Sequence, residues 1–218
     1  MCGKFTQYAT WREVHAFSQP LTLDPTTPLV VSTPMRFANI LRLDSQGARE
    51  VVPMRWGFPD RAASNPARPK HMHARAETVD TRPTFAGAFQ NGRGILLVHT
   101  FNEGEELPNG KTKQWVITPT DGPIAIAVIA EEWINGEERL PVFVQVTTTA
   151  NALIAPVTDR MPAILPRDVW QLWLGETEAS QADIKAVLRT FDDNGAWSIA
   201  PQEATPKGKS SKGQPGLL

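Results

Sequence analysis

Nineteen prolines and fifteen glycines are spread through 218 residues, so few stretches run far without a residue that breaks a helix. A long helical bundle is disfavoured, and many short elements joined by turns are expected instead. β-like runs stand at 37–43, 50–54, 93–98, 114–118, 124–130 and 142–147, most of them bounded by turn residues. Between them, 59–69 is rich in proline, alanine, serine and asparagine, and 103–113 is polar around Pro108-Asn109-Gly110; both read as surface loops. The last third is more helical. Pro166 opens a segment whose Trp170, Trp173 and Leu174 face the core, and Ser180 caps a helix over 182–191. Near the start, Thr10-Trp11-Arg12-Glu13 has the form of a capping box followed by Val14 and Phe17 at helical spacing. There is no internal repeat and no regular βα alternation, so the expected fold is a mixed, mainly antiparallel α+β domain. That domain is assigned to 1–200. The remainder, 201–218, is dominated by Lys, Gly, Ser, Gln and Pro and lacks the apolar content to pack, so it reads as a solvated tail.

Charge and cysteine content narrow the function. Against 22 Lys+Arg stand 23 Asp+Glu, a net charge of −1, so no global field gathers nucleic acid and any such site must be a local patch. A lone cysteine rules out a disulfide within the chain. With no charged-then-apolar signal segment and no apolar run long enough to span a bilayer, a soluble cytosolic protein is expected, not a membrane protein.

That lone cysteine is Cys2. If Met1 is trimmed, Cys2 becomes the amino terminus, and an amine and a thiol share one residue. Such a 1,2-aminothiol condenses with an aldehyde through its amine and closes through sulfur onto the imine, giving a five-membered thiazolidine. The free α-amine, whose pKa is ordinarily about 8, is a usable nucleophile near neutrality. A buried, inert cysteine is the plainer reading of the same residue.

Other templates for chemistry are missing: there is no Gly-rich phosphate loop, no paired cysteine ligands, no His-Glu-x-x-His and no Gly-x-Ser-x-Gly. The histidines are His15, His71, His73 and His99. His71 and His73 alternate, so they would share one strand face and offer a ligand pair without a third partner; no metal and no cofactor is expected. Glu103 lies just past a β-like run, where a carboxylate can act as general acid or base beside a cleft. Glu105 and Glu106 follow at once, and composition alone favours a solvated acidic loop. Arg75, Arg82 and Arg160 are candidate phosphate contacts, though an isolated arginine is more often merely solvated.

Met1-Cys2-Gly3-Lys4-Phe5 opens an ordered series of segments: Arg55-Trp56-Gly57-Phe58; Ala74-Arg75-Ala76-Glu77-Thr78-Val79 running into Arg82-Pro83-Thr84-Phe85; Phe101-x-Glu103; Val146-Thr147-Thr148-Thr149-Ala150-Asn151; and Asp159-Arg160-Met161-Pro162-Ala163-Ile164-Leu165-Pro166. Together they resemble the SOS-response-associated peptidase (SRAP) family, the abasic-site processing proteins, over roughly 1–175. The resemblance implies curved, barrel-like, largely antiparallel sheets with flanking helices, a monomer, and a positively charged groove for single-stranded DNA. It also implies that the new N-terminal cysteine captures the ring-opened aldehyde of an abasic site as a thiazolidine, and that the same residue is linked to self-removal of Met1 and to a peptidase activity.

Carried over by position, the resemblance makes Cys2 the crosslinking nucleophile and Glu103 the acid/base. Arg75 and Arg160 would hold the DNA backbone, Lys4 would be the basic residue after Cys-Gly, and Trp56 would be a groove-lining aromatic. Two positions depart from the pattern. His73 stands where the family has asparagine, and Thr158 where it has histidine. Thr158 cannot shuttle a proton near neutrality, so His73 is expected either to supply the missing imidazole or to mark drift in a weakened relative. The tryptophan after the family glutamate is also absent, Gly104 standing in its place, and Val31-Ser32-Thr33-Pro34 stands where Asn-x-x-Pro is usual. Three functions remain in view: covalent capture of abasic single-stranded DNA, non-covalent binding of single-stranded DNA, and a cysteine-dependent peptidase.

Overall fold

The computed structural model describes residues 3–8, 29–62, 65, 66, 68–120 and 122–203. The 10–13 capping box and residues 204–218 of the expected tail lie outside them. In one sheet β1 (Lys4–Tyr8) sits between β2 (Leu29–Ser32) and β9 (Thr100–Glu106), β9 pairs with β10 (Thr112–Pro119), and β10 pairs with β14 (Trp197–Pro201), all antiparallel. A second sheet runs through β11 (Ile124–Asn135), β8 (Arg93–Val98), β3 (Phe37–Leu43), β4 (Arg49–Trp56) and β12 (Glu138–Thr149). Because β12 pairs with β11 as well as with β4, this sheet closes on itself into a ring. Short strands β7 (His73–Arg75) and β13 (Arg160–Pro162) attach to β12, and β5 (Phe58–Pro59) pairs with β6 (Pro69–His71). The barrel-like α+β class read from the resemblance is the one observed.

Ring strands β8, β11 and β12 carry apolar runs without alternation where both of their faces are buried. In β8, Ile95 and Leu97 enter one core while Leu96 and Val98 enter another. The first core is closed by helices: Phe85 and Phe89 at the helix Ala86–Asn91, Trp170, Trp173 and Leu174 on the helix Trp170–Leu174, and Ile184 on Gln181–Ala186. Ser180 caps that last helix, its hydroxyl accepting from the Asp183 N–H at 3.1 Å, although the helix ends sooner than its sequence suggests. The second core fills the space between ring and five-stranded sheet. There the Phe5 and Trp56 rings meet at 5.1 Å, and the Phe143 and Trp56 rings stack at 6.3 Å. No helix among the described residues is long and apolar enough to cross a membrane.

Three expectations are corrected. Residues 103–113 are not a loop: β9 and β10 form a hairpin with Glu103 opposite Trp115, and only the turn around Gly110 is irregular. The segment looks polar because the outer hairpin end is solvated, while Glu105 accepts the Trp115 indole N–H at 2.9 Å. His71 and His73 do not share a strand face, since the chain changes sheet at Met72, leaving His71 opposite Phe58 and His73 opposite Gln145. Order also extends past 200: Pro201 ends β14, and the Gln202 N–H donates to the Gln114 carbonyl at 2.8 Å.

Gly57 shows why Arg55-Trp56-Gly57-Phe58 has that spelling. Its φ is +113°, its N–H donates to the Phe143 carbonyl at 2.7 Å, and an added Cβ would lie 2.4 Å from the Pro69 Cβ. Gly57→Ala should therefore destabilise the protein by about 2 kcal/mol or more, a fall in Tm of about 4–8 °C measured by calorimetry.

Candidate active-site cleft

Along β12 the face turned to the five-stranded sheet reads Phe143, Gln145, Thr147, whereas Val142, Val144 and Val146 fill the helix-covered core. Along β9 the facing side reads Phe101 and then Glu103. The inter-sheet layer thus begins apolar and ends polar. Glu103 is fully buried and occupies a central strand, where β9 has neighbours on both edges. The register pairs Lys4 with Asn102, so the start of β1 stands beside the stretch of β9 that carries Glu103. Buried carboxyls are rare, because removal from water disfavours their charge, and one beside a cleft is a candidate for chemistry.

At this polar end lies a cleft of about 370 Å³ lined by Arg75, Gly104, Glu106, Val157, Thr158, Asp159 and Arg160. Thr158 reaches it from a turn that Asn151 builds, its side-chain oxygen accepting the Ile154 N–H at 3.1 Å and its amide donating to Asp193 at 3.0 Å. Thr158 then closes the turn by donating its N–H to the Ile154 carbonyl at 3.1 Å. The asparagine of Val146-Thr147-Thr148-Thr149-Ala150-Asn151 is therefore a scaffold residue that aims Thr158. His73 stands two positions before Arg75 on β7, on the same strand face, with its ring edge-on to Trp56 at 5.8 Å.

The arginines differ sharply. Arg75 is exposed and forms no ion pair among the described residues. Arg160 is buried and clasped: it gives two hydrogen bonds to Glu77, at 2.5 and 2.9 Å, and a third to the Thr147 carbonyl at 2.6 Å. It cannot lend a free charge to a phosphate, though it holds the wall of the cleft. Arg82 lies apart, near His71, whose protonation is opposed first by burial and then by the charges of Lys70 and Arg82, beside a different depression of Pro59, Asp60, Lys70 and Pro83. Lys4 alternates with buried Phe5 and so points to the outer face of its sheet. Trp56, expected as a groove aromatic, is fully enclosed, its indole N–H donating to the Met72 carbonyl at 3.0 Å; it supports His73 from behind and offers no face to a base. Cys2 lies outside the described residues. No cluster of three or more His, Cys, Asp or Glu among the described residues is arranged to hold a metal.

Sequence reading passed over Glu77 and Gln145. Glu77 sits within Ala74-Arg75-Ala76-Glu77, but nothing in the string shows that it reaches an arginine 83 positions away. The hydrogen bond from Arg160 holds the Glu77 carboxyl below its ordinary range, against the opposing effect of burial. A depressed carboxylate contributes stability above its unfolded pKa and loses it as pH falls through the folded value. With Glu77 half exposed, Glu77→Gln should cost on the order of 1 kcal/mol at neutral pH in urea unfolding, and the gap to wild type should close below about pH 4.

The family described as SOS response associated peptidase (SRAP) matches residues 1–202. The chain is 27% identical over 220 residues to the abasic site processing protein YoqW of Bacillus subtilis, spanning 96% of this chain and 97% of that one. It is 23% identical over 180 residues to the abasic site processing protein YedK of Escherichia coli, spanning 80% and 79%. Among solved structures, a Bordetella bronchiseptica protein superposes with a TM-score of 0.74 at 19% identity, covering 93% of this chain and all of that one. A Bacteroides thetaiotaomicron protein does so with 0.73 at 21%, covering 93% and 92%. At these identities the two structures speak for the fold alone.

Proposed function

The chain belongs to the SOS response associated peptidase family, and on that premise we propose that it processes abasic sites by binding single-stranded DNA and joining covalently to the lesion through Cys2. The observation that carries this reading is the buried Glu103 carboxyl, next in the chain to Asn102, which pairs with Lys4, two residues after Cys2. Consecutive Cα atoms are about 3.8 Å apart, so the tether is short. On this reading the protein acts as a monomer. The substrate is met in the cytoplasm, where the protein joins the nucleoid when bound to DNA.

The reaction balances without a cofactor. Removal of Met1 frees the Cys2 amine, which adds to the aldehyde carbon of the ring-opened sugar to give a carbinolamine. Glu103 donates the proton with which the hydroxyl leaves as water and takes back the proton that the iminium nitrogen sheds, forming the imine. The Cys2 sulfur then adds to the imine carbon as the thiol proton passes to nitrogen, closing the thiazolidine; the sum is aldehyde plus aminothiol giving thiazolidine plus one water. His73 supplies an imidazole for sugar ring opening, a proton transfer that Thr158 cannot perform near neutrality. Arg75 grips the flanking phosphate, and Arg160 contributes through the shape of the wall. An abasic site has no base to read, so recognition is of backbone and gap.

The test is purified protein, shown by intact mass to lack Met1, mixed with a uracil-containing single strand that has been treated with uracil glycosylase. A heat-stable shifted band on a denaturing gel is expected. Cys2→Ala should abolish it, and Glu103→Gln should slow its formation about a hundredfold. Trimmed wild-type protein that gives no band would overturn the proposal, and salt-sensitive binding retained without a band would indicate a non-covalent binding module.

A further inference from the structure

Gln145 is fully buried in the middle of β12, and among the described residues neither its side-chain oxygen nor its nitrogen has a hydrogen-bond partner. Leaving an amide unsatisfied in an interior costs roughly 1–3 kcal/mol, and an apolar side chain of the same length would avoid it. Such an orphan points either to a polar partner engaged in another state or to a function that outweighs its cost.

Across the layer the facing strand carries Glu103, and within its own sheet, among the described residues, one candidate partner stands directly beside Gln145. On one edge Gln145 stands opposite Val128, and on the other, through the parallel pairing of β12 with β7, opposite His73. Along its own face the neighbours are Phe143 and Thr147. Val128 and Phe143 have no polar side chain. The Thr147 hydroxyl is engaged by the Ala74 carbonyl and by Arg160. Side chains directly opposite on adjacent strands have Cβ atoms about 5 Å apart, so an amide on the long glutamine side chain reaches an imidazole by rotation alone. His73 is partly exposed whereas Gln145 is enclosed, and this puts the amide behind the ring as seen from the solvent side.

We infer that Gln145 is a positioning residue for His73: its carboxamide hydrogen-bonds the imidazole and fixes which ring nitrogen carries the proton and which way the ring faces. An amide suits this task because it can donate or accept, and so satisfies either tautomer without adding a charge. In a histidine that moves protons, orientation by a buried partner decides whether the other nitrogen meets the reacting atoms. The role of His73 in the reaction rests on the function proposed above; the contact itself does not.

The experiment therefore reads both. Imidazole nitrogen NMR of ¹⁵N-labelled wild-type protein, with His73 assigned from a His73→Gln sample, should show one dominant His73 tautomer with an N–H protected from exchange and close to the Gln145 amide. Gln145→Met, of similar volume, should shift the His73 nitrogens while leaving His71 unchanged. It should raise or preserve Tm and lower the crosslinking rate constant at saturating abasic strand about tenfold, with the half-saturating DNA concentration within about twofold of wild type. Gln145→Glu, which restores an acceptor of the same reach, should recover part of the rate. A mobile wild-type His73 ring with no proximity to Gln145, or a Gln145→Met protein with wild-type His73 signals and rate, would overturn the inference and leave Gln145 as core filling. If wild-type protein forms no crosslink, the proposed function falls, and the NMR still decides the contact.

Discussion

β12 is held along both of its edges. One edge pairs with β11 and then, as the two strands part, with β13; the other pairs with β4 and then with β7. This double commitment closes the ring, because without β12 the run from β11 through β4 would be an open sheet with two unpaired edges. It also brings together two walls of the cleft, since Arg75 arrives with His73 on one side of β12 and Arg160 on the other. The pairing that completes the barrel and the pairing that gathers the polar residues are made by one continuous strand.

The layer between the two sheets changes character along its length. Where Phe5, Trp56, Phe101 and Phe143 meet, it is an aromatic core, and such contacts supply much of the burial that holds two sheets together. Past Phe101 and Phe143 the same faces carry Glu103, Gln145 and Thr147, all almost wholly hidden from solvent. Polar groups in such a place lower the stability of the fold locally and keep apolar packing from sealing the end of the layer. The Glu77–Arg160 clasp limits the loss by giving the largest buried charge there three hydrogen bonds.

Much of the barrel was legible in the chain because both-face burial leaves a direct trace: 93–98 and 124–130 are apolar without alternation, and they are strands of the closed ring. Strand β9 was not legible. Its acidic run Glu103-Gly104-Glu105-Glu106 has the composition of a solvated loop, and only its place between β1 and β10 turns Glu103 inward. Of the cleft lining, Arg75, Asp159 and Arg160 fall within the ordered motifs, which do not show the job of each residue. Arg75 and Arg160 look alike in sequence, yet one is exposed and the other clasped by a carboxylate that no local spacing reveals. Trp56 is similar: a tryptophan beside the site can be read as a stacking surface, whereas here Phe5, His73 and Phe143 surround it. The buried amide of Gln145 gave no signal at all, because a polar residue inside a β-like run ordinarily marks the solvent face.

The placement of β1 has a mechanical consequence. A strand of DNA attached near residue 2 would be attached to the end of an interior strand, one bonded at four register positions to β2 and at three to β9. Traction on that attachment, as from a motor advancing along the same DNA, would load those hydrogen bonds in shear and together, instead of peeling them one at a time. The link would then resist being pulled loose until the five-stranded sheet itself gave way.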